Sequence, residues 1–379
     1  MPQFTEEQQA LREVAREVAR ERIEPMARKL DERVVDPEEL VALYRELGWM
    51  SLTVPEEYGG AGAGTTEWCI VAEEVAAVSM SAAHLLGHNG MNTMVALLGT
   101  DEQKARFFPR LDESFACFMA SEPEAGSDVS SVRTVAVREG DEYVLDGRKQ
   151  WVGHGGHAEI YTVVAKVDEG SGKQAIGLFF VDGRESPGMR AEREEDLMGL
   201  NGVSVAEVAV DGVRIPVTNR LGGRNGTQEF IAFMNAARPT SAAQAVGMAN
   251  AAMEYAVRYT HERHQFGQPV YRFQAVSHML AQMATDIEAA RELTYAAAAE
   301  IDRGGPRGGE LVSMAKAFAT DMAMRVTTDA VQCLGASGYS REHPLERMMR
   351  DAKIGQIYEG TNQIQRETIA KLLSRRLVG

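Results

Sequence analysis

Apolar positions recur at helical spacing through the first third of the chain, alternate in the middle, and return to helical spacing up to the C-terminus. Leu11, Val14, Ala15 and Val18 set the first stripe, and Thr5 followed by Glu6, Glu7 and Gln8 predicts a capped helix start. Further helices are predicted over 66–78 and 91–98, on either side of a short stretch after the glycine-rich connection at 54–62. From residue 114 the period falls to two. Strands are predicted at 132–138, 143–145, 160–167, 176–181 and 205–210, with Asp146-Gly147, Asp182-Gly183 and Asp211-Gly212 as turns. One long helical pattern then covers 230–261, with a kink expected at Pro239. Phe273, Val276, Leu280, Met283, Ile287 and Ala290 stripe the next helix, and the glycine-rich run 303–309 precedes another over 310–334. A last helix is expected through Ile364, Ile369, Leu372 and Leu373, capped by Thr361 or Asn362. The pattern predicts a mainly α protein with a middle β-domain, divided at 1–113, 114–225 and 226–379.

At 379 residues, 44% hydrophobic and 25% charged, the chain has the make-up of an ordinary globular protein with a substantial core. Its net charge of −15 opposes a nucleic-acid partner, whose phosphates call for concentrated Lys and Arg. No apolar run approaches the roughly 20 residues of a membrane span. The N-terminus has no basic segment followed by an apolar one, so no signal peptide is expected. Three widely spaced cysteines form neither a disulfide framework nor a metal-ligand spacing, and suit a reducing cytoplasm. His84 with His88, and His261 with His264, each have the spacing to share a helix face; neither pair has a third ligand nearby, so no metal site is expected.

The candidate chemistry centres on Glu359, set between Tyr358 and Gly360 just before the last helix. Glycine permits unusual dihedrals and close approach of backbone. An apolar surround disfavours a charged carboxylate, which strengthens it as a proton acceptor.

The segment Ile357–Arg366, preceded by Arg350-Asp351-Ala352-Lys353-Ile354, resembles the acyl-CoA dehydrogenase family of flavoproteins. Phe118–Asp128 is similar to the family's "TEPxAGSD" flavin loop, Lys149–Gly156 to its "K-x-W-I-T-N" strand, and Glu262–Pro269 to its "ER-x-x-FG" segment. Residues 54–62 also resemble a "P-E-x-x-GG-x-G" loop. The resemblance implies three domains: a helical domain, a β-barrel or sandwich, and a four-helix bundle. It further implies FAD-dependent α,β-dehydrogenation of an acyl thioester. That reaction needs a base for the α-proton, donors for the enolate-like oxygen, and a flavin to take the β-hydride, since no side chain accepts one.

By the same resemblance Glu359 is the base. Phe118, Ser121, Gly126, Ser127, Trp151 and Gly153 would contact the flavin within the chain, with Thr361 and Gln363 beside it. Arg263, Phe266, Gln274, Gln332 and Gly335 would reach the adenine-diphosphate half from a neighbouring subunit, where an arginine fork suits a pyrophosphate. Ser127, Asn235, Arg238, Tyr358 and Gly360 would line the substrate side. The implied partners are an acyl thioester on coenzyme A or on a carrier protein, an electron-transfer flavoprotein, and copies of the chain itself, at least a dimer and expected as a homotetramer. Cytoplasmic location is expected.

Five positions depart from the family pattern. Ser121 and Gly153 stand where threonine is usual, the latter near the flavin's reactive nitrogen; Asn235 replaces an aspartate, and Ala336 the second glycine of a pair. His154, in place of an asparagine, is either a polar pocket wall or a turn residue. An oxygen-using relative, a DNA-binding relative and a non-catalytic subunit are the alternative functions. The acidic balance opposes DNA binding, and an intact Glu359 opposes loss of catalysis.

Overall fold

The computed structural model describes residues 4–168, 175–223 and 226–378. The first three residues and the expected boundary at Asn225 lie outside the described residues.

The N-terminal region is helical: α1 (Glu6–Val18), α2 (Glu24–Asp31), α3 (Pro37–Glu46), α4 (Thr65–Ala76), α5 (Met80–Leu85), α6 (His88–Leu98) and α7 (Asp101–Glu113). Thr5 caps α1 in a reciprocal arrangement with Gln8, as the sequence predicts. Helix α4 is buried nearly all round. Its two buried glutamates are both paired: Glu74 binds Arg12 and Arg16 of α1, while Glu73 accepts from Arg291 (3.0 Å) and from the Tyr295 hydroxyl (2.8 Å). The Glu73 contacts tie α4 to the C-terminal bundle.

The middle region comprises β1 (Ala116–Met119), β2 (Val135–Glu139), β3 (Glu142–Gly153), β4 (Ile160–Asp168), β5 (Ala175–Asp182), β6 (Met189–Glu194), β7 (Val205–Pro216) and β8 (Arg220–Leu221). Among the described residues they form one sheet in the order β6-β7-β3-β2-β4-β5-β8, with β1 parallel to β4. Two of the expected turns are not turns. Strand β3 runs through Asp146-Gly147 and β7 runs through Asp211-Gly212. Leu145 pairs with Val213 and Gly147 with Val210, so two β7 residues oppose one on β3. That is a β-bulge, with Gly212 in the left-handed region (φ 59). A Cβ on Gly147 would lie 2.7 Å from Thr134 Cα, so this glycine serves a close backbone approach. The pattern also missed β1 and the exposed, charged edge strand β6, which has no alternation to detect.

The C-terminal region contains α8 (Gly226–Glu262), a short hairpin of β9 (His264–Gln265) and β10 (Gln268–Pro269), then α9 (Gln274–Asp302), α10 (Gly308–Leu334), α11 (Leu345–Gly355) and α12 (Asn362–Val378). Helix α8 continues unbroken through the buried Pro239. The two histidine pairs are each divided between elements: His84 lies on α5 and His88 on α6, His261 on α8 and His264 on β9. Neither pair shares a helix face. A contiguous apolar core joins the helical layers to the sheet.

Candidate active site

Between α11 and α12 the chain makes a tight turn with Glu359 and Gly360 both left-handed, at φ 53 and 90. A glutamate rarely adopts this conformation, and here the surroundings enforce it. Arg238 Nε donates to the Glu359 carbonyl oxygen at 2.8 Å. Gln365 Nε2 donates to the carbonyl oxygens of Glu359 (3.2 Å) and Gly360 (3.0 Å). From α10, the buried Lys316 ammonium donates to the Gly360 carbonyl (2.8 Å) and to Asn362 Oδ1 (2.9 Å). Burial pushes that ammonium down to about 8. A Cβ on Gly360 would stand 2.7 Å from Gln365 Nε2, so the turn requires glycine.

The carboxylate itself is held by α8: Ser241 Oγ donates to Glu359 Oε2 at 2.6 Å. Next to it the Tyr358 hydroxyl donates to Gln244 Oε1 (3.1 Å), and Gln244 Nε2 donates to the Ala83 carbonyl (3.1 Å). The backbone N–H of Glu359 has no acceptor among the described residues. Ser241, Gln244 and Lys316 belong to this site and were not singled out from the sequence. Thr361 accepts the Ile364 N–H (3.3 Å) at the start of α12, and Gln363 lies exposed beside it. Asn235 sits one turn before Arg238, with its amide against Gly309.

A strand wall carries the second group of expected residues. Phe118, on β1, packs against Phe230 and Phe233 of α8. The loop after β1 is fastened by a buried ion pair, Lys149 Nζ to Glu122 Oε1 at 2.7 Å. Glu122 also accepts the backbone N–H groups of Arg133 (2.6 Å) and Thr134 (3.0 Å), and Gln150 N–H donates to the Ser121 carbonyl (2.9 Å). Beyond this anchor β3 shifts register between Lys149 and Val152, and Trp151 turns outward at φ 61 with 56% of its surface exposed. Gly126 and Ser127 stand exposed on the loop. The hydroxyls of Ser121 and Ser127 have no partner among the described residues. An exposed aromatic plane beside free hydroxyls and an unobstructed glycine is a surface that fits a flavin and its phosphates.

His84, from α5, fills the corner between Gly153 and the Glu359 turn. Its Nδ1 lies 3.1 Å from His154 Nε2, and its ring stacks towards Tyr358 with centroids 6.2 Å apart. Burial pushes His84 down to about 4 and holds His154 well below the ordinary imidazole value, so both imidazoles are neutral at neutral pH. His154 is both readings at once: a left-handed turn residue (φ 60) and a buried polar wall.

The remaining expected cofactor residues lie elsewhere. Arg263 and Phe266 follow the far end of α8, about 36 Å along the helix from Arg238 at 1.5 Å per residue. Gln274 begins α9, and Gln332 and Gly335 end α10. The Arg263 guanidinium has no partner among the described residues, and Phe266 and Tyr339 are 93% and 87% exposed. Within one chain this distal group is therefore separated from Glu359 and the strand wall.

Family models for the acyl-CoA dehydrogenase N-terminal, middle and C-terminal domains match residues 5–113, 117–213 and 224–374. The chain is 43% identical over 375 residues to "Probable acyl-CoA dehydrogenase fadE25" of Mycobacterium leprae, covering 98% of this chain and 96% of that one. It superposes on butyryl-CoA dehydrogenase from Megasphaera elsdenii with a TM-score of 0.93 at 35% identity, over 98% and 99% of the two chains. A chain of the structure described as "Electron transferring flavoprotein of Acidaminococcus fermentans" gives 0.93 at 38% identity, over 99% and 100%. No helix among the described residues is long and apolar enough to cross a membrane. This chain belongs to the acyl-CoA dehydrogenase family, flavoprotein oxidoreductases that act on acyl-CoA.

Proposed function

We propose that the protein is an FAD-dependent dehydrogenase that introduces an α,β double bond into an acyl-CoA thioester. The observation that carries this reading is the Glu359 turn, whose left-handed backbone carries one carboxylate held at 2.6 Å by Ser241, with His84 between this turn and Gly153 of the strand wall. Glu359 takes the α-proton at its carboxylate. Its unpartnered backbone N–H is free to hold the thioester carbonyl as negative charge develops there. Arg238, Gln365 and Lys316 fix the turn so that base and N–H act on neighbouring atoms of one substrate. Bound FAD would rest on Phe118, Ser121, Gly126, Ser127, Trp151 and Gly153 and supply the hydride acceptor.

Arg263, Phe266, Gln274, Gln332 and Gly335 form the free distal group, which supports their holding the adenine-diphosphate half of a flavin bound mainly by another subunit. The assembly is then at least a dimer, and the family resemblance favours a homotetramer. We assign Thr361 and Gln363 to the cofactor, and Asn235, Arg238, Tyr358 and Gly360 to the substrate. Domain limits at 113/114 and 225/226, cytoplasmic location and electron transfer to an electron-transfer flavoprotein complete the proposal. The named relatives support coenzyme A over a carrier protein as the thioester's handle.

The test is anaerobic mixing of Glu359→Gln with saturated acyl-CoA substrates and with the same acyl groups on a carrier protein. Glutamine keeps the shape and loses the basicity, so the variant should stay yellow, bind thioester, and reduce its flavin about 100- to 10,000-fold more slowly. Wild-type rates of bleaching in this variant would refute the assignment.

A further inference from the structure

Strand β3 ends at Gly153 without a side chain, and the space beside it is taken by another element. A Cβ on Gly153 would stand 2.9 Å from Cε1 and 3.6 Å from Nε2 of His84. A side chain at 153 and an imidazole at 84 therefore compete for one volume. His84 is fixed there by its 3.1 Å contact with His154, whose ring meets Phe115 edge-on at 4.8 Å.

The pair's tautomers follow from hydrogen-bond satisfaction. With both rings neutral, one proton lies between His84 Nδ1 and His154 Nε2, and each ring's other nitrogen takes the opposite role. His154 is 3% exposed, and its Nδ1 is buried without a partner. An orphaned buried N–H is rarer than an orphaned acceptor, so Nδ1 of His154 is the bare nitrogen. His154 then donates through Nε2, His84 Nδ1 accepts, and His84 Nε2 carries a proton. That N–H has no acceptor among the described residues and lies between Gly153 and the Tyr358–Glu359 turn.

We propose that His84, oriented by His154, supplies to the edge of the flavin ring the hydrogen-bond donor that Gly153 cannot. The inference rests on the proposed seating of the flavin against Gly153. A neutral N–H in this place favours the reduced, more electron-rich ring over the oxidised one. His84 is thus a positioning and tuning residue delivered from the helical domain in place of a side chain on the strand.

The experiment equilibrates substrate-free holoenzyme with a reference redox dye. His84→Phe keeps the ring volume and loses the N–H. The ratio of reduced to oxidised flavin at fixed dye potential should fall about fivefold, the effect of one ordinary hydrogen bond. His84→Gln, which retains a donor, should recover most of it, and so should Gly153→Ser placed in a His84→Ala background, where the volume is vacant. In the flavin-free protein, imidazole ¹⁵N shifts should show His84 protonated at Nε2. A fully flavin-loaded His84→Phe with the wild-type ratio, or His84 protonated at Nδ1, overturns the proposal. Wild-type protein that binds no flavin overturns the functional reading itself, a result told apart by its absorbance alone.

Discussion

The buried pair Lys149–Glu122 gives a prediction whose size depends on pH in a defined way. Lys149 is 0% exposed, and burial outweighs its partner, pushing its ammonium down to about 8. Glu122→Gln removes the counter-charge and, with one oxygen in place of two, keeps an acceptor for only one of the Arg133 and Thr134 N–H groups, a loss that does not vary with pH. The stranded ammonium would cost about 3–5 kcal/mol if it had to remain charged. It has a cheaper course, which is to release its proton. In the wild type at pH 7 that release is only about one unit uphill, so the loss of Glu122 costs about 1.4 kcal/mol through Lys149. Each further unit of acid adds about as much, giving about 2.7 kcal/mol at pH 6 and a plateau near the full value for a broken buried pair. The lysine's folded-state value is depressed, so the penalty through Lys149 shrinks as pH rises and nearly vanishes above 8. Urea unfolding of wild type and variant at pH 6, 7, 8 and 9 measures this directly. Glu122→Gln with Lys149→Met removes the charge and should show no such slope. A difference that is flat with pH would refute the reasoning.

Two other groups give sharp outcomes. Arg263→Ala should purify with substoichiometric FAD and lose it on dilution: a charge-assisted contact is worth about 1.5–3 kcal/mol, or about ten- to a hundredfold in affinity, and full retention would place the residue outside the flavin site. Asp351 is buried, accepts the Leu200 N–H at 2.7 Å, and is pushed up to about 6 by desolvation. A raised carboxyl contributes stability that is present below its ordinary value and lost as pH rises through 6, so Asp351→Asn should gain about 2.4 kcal/mol relative to wild type between pH 4 and 7; an unchanged difference in urea midpoints would contradict this.

What the sequence reveals and conceals divides along physical lines. Helices with one apolar stripe, such as α1 and α9, were legible because water on the other face forces the pattern. The Asp-Gly pairs of β3 and β7 misled because the same residues that make a hairpin turn also make a bulge, and only the partner strand decides which. Glu359 stood out as a candidate because its carboxylate is set against glycine, and the family resemblance gave it the role of base. Its supports were not legible: Lys316 is one cation in an apolar helix, and His84 meets His154 across 70 residues of chain. Yet α8 did carry a signal. Arg238, Ser241 and Gln244 are polar residues three apart on a helix otherwise rich in alanine and buried through this stretch. A buried polar side chain must find a partner. Three of them at that spacing lie along one face, so their partners must be a single polar object. That object is the Tyr358–Glu359 turn: Arg238 takes its backbone, Ser241 its carboxylate and Gln244 its tyrosine hydroxyl. Period-three polarity inside a buried helix is therefore the mark of a helix that holds a site, where period-three apolarity is the mark of one that holds a core.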